Sequence, residues 1–356
     1  MSTPRTGHPY HMHDAIYAQP GALRLVTRGQ DAVLDAAAER LKAAPRVLIA
    51  GIGSSWYVAL VAEWLLSRGA GLGHRVRAIP AFDLAAYGPA PGADTTVVVV
   101  SHSGSNRFVR EALTQAKAGG APTIAITGKT GDGLASADHV LRTVDPELSS
   151  THTVSYTTAI AIALHLTNRL TADADFAHEL GEVPDYVATL LGQESWDDLA
   201  AKYGHRPRLW FVGAGPNAAT AAEAALKLQE AAYANAIAVD AEQFLHGAWA
   251  ACEPDDVVVV IAPAGPSRDR ALMAARTARE IGAVVVALGA EDDRELTAVA
   301  TETIALPPVP ESMSPIVAVV PLQLFAYHVA LTRGANPDTM RTHVPEYGRA
   351  RSAMSL

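Results

Sequence analysis

The feature that most limits what this 356-residue chain can fold into is internal repetition. Arg46–Ser55 (RVLIAGIGSS) is echoed by Arg208–Asn217 (RLWFVGAGPN), Val97–Ser101 (VVVVS) by Val257–Ile261 (VVVVI), and Ile124–Gly128 (IAITG) by Val285–Gly289 (VVALG). The offset is about 160 residues each time, the length of a whole domain and far beyond the period of a solenoid. Duplication of one unit follows, and the places where the copies differ are where function is to be sought.

Each copy alternates strands with helices. Val47–Ala50 is an apolar run that stops at Gly51, and Ser54–Leu66 then carries apolar residues at helical spacing: strand, glycine turn, helix. Val97–Val100 is β-branched with no polar alternation, as a strand buried on both faces of a parallel sheet requires. Phe108–Ala118 reads as a helix, Thr123–Thr127 and His139–Thr143 as strands, and Thr157–Leu170 as a long apolar helix. The second copy repeats this with strand Leu209–Val212, helix Ala218–Ala234, strand Val257–Ile261, helix Asp269–Ile281, strand Val284–Leu288 and helix Val317–Leu331. Residues 11–44 read as helical up to Pro45, 171–206 as polar and helical, and the tail from Gly334 has no clear element. The expected fold is α/β: two similar units, each a mainly parallel five-stranded sheet with helices on both faces. The expected divisions are a helical arm (1–35), a first domain (36–185), a second domain (195–335) and a tail (336–356).

Composition narrows the classes. A net charge of −9, from 28 basic and 37 acidic residues, argues against a nucleic-acid or anionic-membrane partner but leaves room for a small phosphorylated ligand. Cys252 is the only cysteine, so no disulfide framework or cysteine zinc site is expected, in keeping with a cytoplasmic location. Met1–Tyr10 lacks the apolar stretch of a signal peptide. The longest apolar runs, near 159–166 and 257–263, are far too short to span a bilayer.

In open parallel sheets ligands sit beyond the carboxyl ends of the strands. Two loops of the first copy lie there: Gly51–Ser55, which includes Gly53 and Ser54, and Ser101–Asn106 (SHSGSN). Both bring glycines and small hydroxyls to a helix N-terminus, where unpaired N–H groups and the positive end of the dipole favour an anion such as phosphate. The plainer alternative makes Ser and Asn simple N-caps and the glycines simple turns. The second copy serves as a control, since its corresponding loop is Ala262–Pro266 (APAGP), poor in donors. That asymmetry points to the first copy as the anion holder. A dinucleotide is not expected there. Trp56 stands where the third glycine of G-x-G-x-x-G belongs, and no acidic residue ends a clear second strand.

In the second copy, Glu223, Lys227 and Glu230 are spaced i, i+4, i+7 on one face of a helix otherwise rich in Ala and Leu. Glu242–Gly247 (EQFLHG) follows with His246. A glutamate and a histidine together can do acid–base work near neutral pH. The plainer alternative is a surface ion pair between Glu223 and Lys227 beside an ordinary histidine.

These residues carry a resemblance. Gly51-x-Gly-Ser-Ser55, Ser101-x-Ser-Gly104, Thr157-Thr158 and especially Glu223–Glu230 (EAALKLQE) with Glu242–Gly247 resemble the tandem-domain sugar isomerase (SIS) family, in particular the isomerase half of glucosamine-6-phosphate synthase (glutamine–fructose-6-phosphate aminotransferase). The resemblance covers roughly residues 12–335. It implies two flavodoxin-like domains, a homodimer, and no metal or organic cofactor. Ser101, Ser103 and His102, with the backbone from Gly104 to Asn106, would bind a sugar phosphate. Ser55, in the turn with Gly53 and Ser54, would approach the carbonyl end, and Thr153 would join the substrate-binding set. Glu230 matches the base that moves a proton between C1 and C2, and His246 the ring-opening residue, reaching in from the neighbouring subunit. Glu223 and Lys227 match supporting polar residues.

The chain departs from the synthase in four ways. It carries no glutaminase domain with a cysteine nucleophile. Pro345 stands where the synthase's tail has its Schiff-base lysine, Asn106 replaces the threonine that ends the phosphate loop, and Val154 replaces a lysine before Thr157-Thr158. Proton transfer is left intact, and amine transfer loses its lysine. Four other features are set aside. His8, His11 and His13 lie in a segment expected to be mobile, Cys252 reads as a small core residue, His152 as a loop histidine, and Arg341 and His343 as tail residues near a substrate at most. The expected function is isomerisation or deamination of a sugar phosphate or amino-sugar phosphate through an enediol. A non-catalytic sugar-phosphate sensor is the alternative, one that would need neither Glu230 nor His246.

Overall fold

In a computed structural model of the chain, residues 5–193 and 196–354 are described; the expected start of the second domain at 195 lies outside them. The chain divides into two compact units: 18–147 with 154–184, and the N-terminal residues to Tyr17 with 148–153 and the chain from Asp185 onward.

The helices α1 (His11–Tyr17), α2 (Gln19–Leu25) and α3 (Asp31–Ala43) form the arm that reads as one helical stretch in the sequence. It is broken because Pro20 opens α2 and Gly29 adopts a φ of 74° ahead of α3. The first unit continues with β1 (Arg46–Gly51), α4 (Ser54–Trp64), β2 (Val76–Pro80), α5 (Ala81–Ala86), β3 (Thr95–Ser101), α6 (Arg107–Ala118), β4 (Thr123–Thr127), β5 (His139–Arg142) and α7 (Val154–Thr171). Its strands are all parallel, in the order β2-β1-β3-β4-β5. Val97 and Val99 of β3 pack with Val109 and Leu113 of α6 and Leu84 of α5. The neighbouring Val98 and Val100 are equally buried. Two covered faces explain a valine run without alternation.

The boundary between units falls at Pro184, inside α8 (Ala174–Leu191). After α9 (Trp196–Tyr203) come β6 (Leu209–Gly213), α10 (Asn217–Ala232), β7 (Ala236–Asp240), α11 (Ala241–Leu245), β8 (Val257–Ala262), α12 (Arg268–Ile281), β9 (Val284–Ala290), α13 (Arg294–Val299), β10 (Glu302–Leu306) and α14 (Ser314–Thr332). The order β10-β9-β8-β6-β7 is again all parallel, so strand for strand the two sheets share one topology. Two parallel five-stranded α/β units, as expected, are what the duplicated sequence builds. A common device ends the first strand of each copy. A Cβ on Gly51 would lie 2.2 Å from the Ser55 carbonyl oxygen, and one on Gly213 2.1 Å from that of Asn217. Only glycine lets the following helix start this close to the strand.

Three expectations are corrected. The longest apolar stretch is not near 159–166 or 257–263: Glu311–Thr332 is long and apolar enough to cross a membrane, but 83% of its most apolar window is buried within the protein, as befits a core helix. The tail forms α15 (Pro345–Ala353), which opens on a proline, the residue best suited to the first helical turn. The N-terminal histidines are not in a loose segment. His8 Nδ1 and the Tyr327 hydroxyl are 2.8 Å apart, and the Asp338 carboxylate accepts from the N–H groups of His11 (2.9 Å) and Met12 (2.8 Å), capping α1.

In the second unit Asp256, fully buried at the entry to β8, accepts from Arg208 Nε, Trp210 Nε1 and the Glu253 N–H, each at 2.9 Å. Burial alone would raise its pKa, but Arg208 and the two N–H donors outweigh it and hold the carboxyl below the usual range. Asp256→Ala leaves these donors unmatched and is expected to cost about 3–5 kcal/mol at pH 7, read as a lowered urea midpoint. A depressed carboxylate stabilises above its unfolded pKa and loses that contribution as pH falls through the folded value. The gap between wild type and variant should therefore shrink in acid below about pH 4; a gap that widened there would contradict the assignment.

Candidate active site

In the first unit, β1 and β3 lie side by side at the point where strand order reverses, with Ala50 in register with Val99. The loops that follow them flank the crevice where such sheets bind ligands. After β1, Gly53 takes a φ of 60° and α4 begins at Ser54 without a side-chain cap; Ser54 and Ser55 are half-buried. After β3, buried Ser101 leads into a turn in which Ser103 and Ser105 are exposed. Their hydroxyls are 2.8 Å apart, and the Ser105 N–H donates to Ser103 Oγ at 3.2 Å. Gly104 holds a φ of 66° against the Gly131 backbone, where a Cβ would approach the Gly131 oxygen to 2.8 Å. The turn is braced from β4: Thr127 Oγ1 donates to the Ser101 carbonyl at 2.7 Å and the Gly128 N–H to the His102 carbonyl at 2.9 Å.

For Asn106 the capping alternative holds. Its Oδ1 accepts from the Phe108 and Val109 N–H groups at 3.1 and 3.2 Å. The exposed donors of this loop are Ser103 and Ser105. Ser105 was missed as a single residue, although alternation of Ser101, Ser103 and Ser105 marks it. Thr153 falls in the second unit, where it is fully buried and its carbonyl accepts from Gln323 Nε2 at 3.4 Å.

The second unit joins Glu223, Lys227 and Glu230. Lys227 and Glu223 have no solvent exposure, which overturns the surface-pair alternative, and Glu230 retains 16%. Lys227 Nζ donates to Glu230 Oε2 at 2.5 Å and lies 3.4 Å from Glu223 Oε1. A buried ammonium must be matched by acceptors, and spacings of four and three residues place one carboxylate on each side of it. The helix around them is alanine-rich and packs against α14. Glu230 alone of the three keeps access to the outside.

His246 is not part of this cluster. It ends α11, is 74% exposed, and sits 3.3 Å from Glu242 Oε2. Arg270 pairs with Glu242 through both Nε and Nη2 and, with His246, holds that carboxyl below the usual range. Burial pushes the Cys252 thiol up to about 11, so it stays protonated and suits the core better than nucleophilic attack. Among the described residues, no group of three or more His, Cys, Asp or Glu is arranged to hold a metal ion. The tail, set aside at first, is tied to the end of α10. The Tyr233 hydroxyl donates to the Asn336 carbonyl at 2.8 Å and accepts from the Arg341 N–H at 3.0 Å, and Arg341 stacks on Tyr233 and Tyr347.

Lys227→Ala strands the buried carboxylate of Glu223 and the partly exposed one of Glu230 and is expected to cost about 3–5 kcal/mol, whereas Glu242→Ala, which breaks exposed pairs, should leave stability nearly unchanged. Urea titrations of the two variants make the comparison; equal losses would mean that the Lys227 cluster is solvated.

Comparison with known proteins agrees with the duplicated fold. The family model of the SIS domain matches residues 40–180 and again 203–333. The chain is 31% identical over 351 residues to the glutamine–fructose-6-phosphate aminotransferase [isomerizing] of Thermococcus kodakarensis, covering 95% of this chain and 58% of that protein. It is 29% identical to the enzyme of the same name from Chlorobaculum tepidum, covering 94% and 58%. It therefore spans little more than half the length of these curated relatives. Among solved structures, the C-terminal domain of glucosamine-fructose-6-phosphate aminotransferase from Francisella tularensis superposes with a TM-score of 0.83 at 20% identity, covering 94% of this chain and 99% of that one. The tagatose-6-phosphate ketose/aldose isomerase of Escherichia coli gives 0.80 at 21%, covering 95% and 97%. At these identities the likeness is one of fold.

Proposed function

This chain belongs to the SIS domain family, and on that premise we propose that it is an enzyme acting on a sugar phosphate or amino-sugar phosphate. It interconverts aldose and ketose forms, or removes an amine, by moving a proton between C1 and C2. The observation that carries the reading is the state of Glu230: one carboxylate oxygen held by a buried lysine at 2.5 Å, the group as a whole still 16% exposed. A base fixed in this way loses little freedom when it meets a carbon acid.

Ser101, Ser103 and the turn through Gly104 and Asn106 grip the phosphate, with His102 beside them and α6 supplying the positive end of its dipole. Gly53, Ser54 and Ser55 line the carbonyl end. Glu230 takes the C2 proton of the open-chain aldose, leaving an enediolate, and returns it to C1 as the proton of the C2 hydroxyl passes to O1. Lys227, with Glu223 behind it, fixes the carboxylate and stabilises charge that develops on the enediol oxygens. His246 assists ring opening from the neighbouring subunit of a homodimer; its high exposure in the single chain supports that role. In the deaminase variant of the reaction, the same proton transfer precedes hydrolytic loss of the amine. The aminotransferase named among the relatives supports an amino sugar as one substrate class, and the ketose/aldose isomerase among the neighbours in fold is in keeping with the proton transfer.

The test is incubation with hexose and hexosamine phosphates in deuterium oxide. Deuterium is expected at C1 or C2 of one substrate, and Glu230→Gln should slow its entry by about 10²–10⁴-fold. Wash-in by the variant at the wild-type rate would remove Glu230 from the mechanism. No wash-in by the wild type with any substrate would leave a binding protein in place of an enzyme.

A further inference from the structure

The second crevice differs from the first in more than missing hydroxyls. Matched from the starts of α6 and α12, Gly265 stands where Gly104 does, Ala264 and Pro266 where Ser103 and Ser105 do, and Ser267 where Asn106 does. α12 is 14 residues long, and its first N–H groups need acceptors like those of any helix. A carboxylate of the chain itself supplies one. Glu311, in the turn ahead of α14 and only 8% exposed, accepts from the Ser267 N–H through Oε1 at 2.9 Å. Gly265, at a φ of 144°, makes room for it: a Cβ there would lie 2.8 Å from Glu311 Cβ and 3.0 Å from Cδ.

The turn carrying Glu311 is tied down in its turn. Ser314 Oγ donates to the Glu311 carbonyl at 2.7 Å, and Asn217 Nδ2, at the start of α10, donates to Ser314 Oγ at 2.7 Å. The Ser267 hydroxyl, by contrast, is buried without a hydrogen-bond partner among the described residues, and the residue is only 9% exposed. Asn106 spends its side chain capping α6; Ser267 caps nothing. A helix N-terminus, an unused buried hydroxyl and an inserted carboxylate together have the chemistry of an oxyanion site with its occupant in place. Arg268 is not part of it, since its guanidinium is taken up by Asp293, Glu295 and Asp269.

We propose that the N-terminus of α12 is a latent oxyanion site of the second repeat, of the phosphate or sulfate class, closed by Glu311 as a built-in occupant. Along α10, Glu230 lies about 20 Å and Glu223, the nearest member of the acid–base cluster, about 9 Å from the Asn217 end, so this site shares no residue with that cluster. The inference stands apart from the proposed function: it requires neither that the serine loop bind phosphate nor that Glu230 move a proton.

The experiment titrates inorganic phosphate into the full-length wild type, Glu311→Ala and Glu311→Gln, by calorimetry and by melting in phosphate against chloride at equal ionic strength. Glu311→Ala is expected to bind one more phosphate per chain than the wild type, with an additional phosphate-dependent Tm rise of about 2–4 °C near ten times Kd. Glu311→Gln removes the charge but keeps the side-chain volume and an oxygen that can accept from the Ser267 N–H, so it is expected to hold the site closed and keep the wild-type phosphate count. Adding Ser267→Ala to Glu311→Ala should weaken the new site by about tenfold. A folded Glu311→Ala with the wild-type number of phosphates would overturn the proposal, as would a Glu311→Gln that binds an extra phosphate as tightly as Glu311→Ala, or an extra phosphate located away from Ser267 in a crystal of the variant. The increment is the readout, so failure of the serine loop to bind phosphate lowers every total alike and leaves the comparison intact.

Discussion

One ammonium group without access to water organises the charged cluster of the second repeat. Lys227 is fully buried on α10, and a charge in that position survives only with acceptors on hand. Helix geometry supplies them from the same element: Glu223 one turn before, Glu230 three residues after. The surrounding alanines follow from the same constraint, because α14 packs closely against this helix and is itself apolar on every side. Glu230 is the member of the cluster at which this arrangement meets the exterior. Its orientation is inherited from a lysine that does not reach the surface, which ties the stability of the unit to the alignment of its proposed base.

Much of the fold was legible because the central strands are covered on both faces. Val97–Val100 and Val257–Val260 are solid apolar runs, and such runs have few readings. The strands the sequence did not reveal are β2, β7 and β10, all at sheet edges. Each has five residues of mixed burial, with residues such as Arg77, Asp240 and Glu302 among them, so no run stands out. The tail and the N-terminal arm were opaque for another reason. Asp338 caps α1 across 327 residues of sequence, and no local pattern records such a contact.

At the candidate site, spacing showed that Glu223, Lys227 and Glu230 share a face, but i, i+4 charges occur on wet and dry faces alike. The alanine and leucine between them were the better signal, and they pointed inward. Asn106 shows the reverse case. Two donors in α6 took its side chain, so the plainer capping role displaced a direct ligand role for its amide oxygen. Ser103 and Ser105 keep their exposure, and the loop's donor character rests on them.

Duplication creates a problem that the structure answers chemically. Two copies of one sheet bring two crevices, and if the first holds a phosphate as proposed, an identical loop in the second would hold another. In the second copy Ala264 and Pro266 stand at the hydroxyl positions, glycine recurs at Gly265, and the space beside that glycine is filled by Glu311. A tethered carboxylate competes at high effective concentration and loses little freedom on docking, so a free phosphate meets it at a disadvantage. Its charge also repels a second anion. The missing hydroxyls and the inserted carboxylate therefore work in the same direction, against an anion in the second crevice. The sequence showed only the first half, because a separation of 44 positions between Ser267 and Glu311 hides the second.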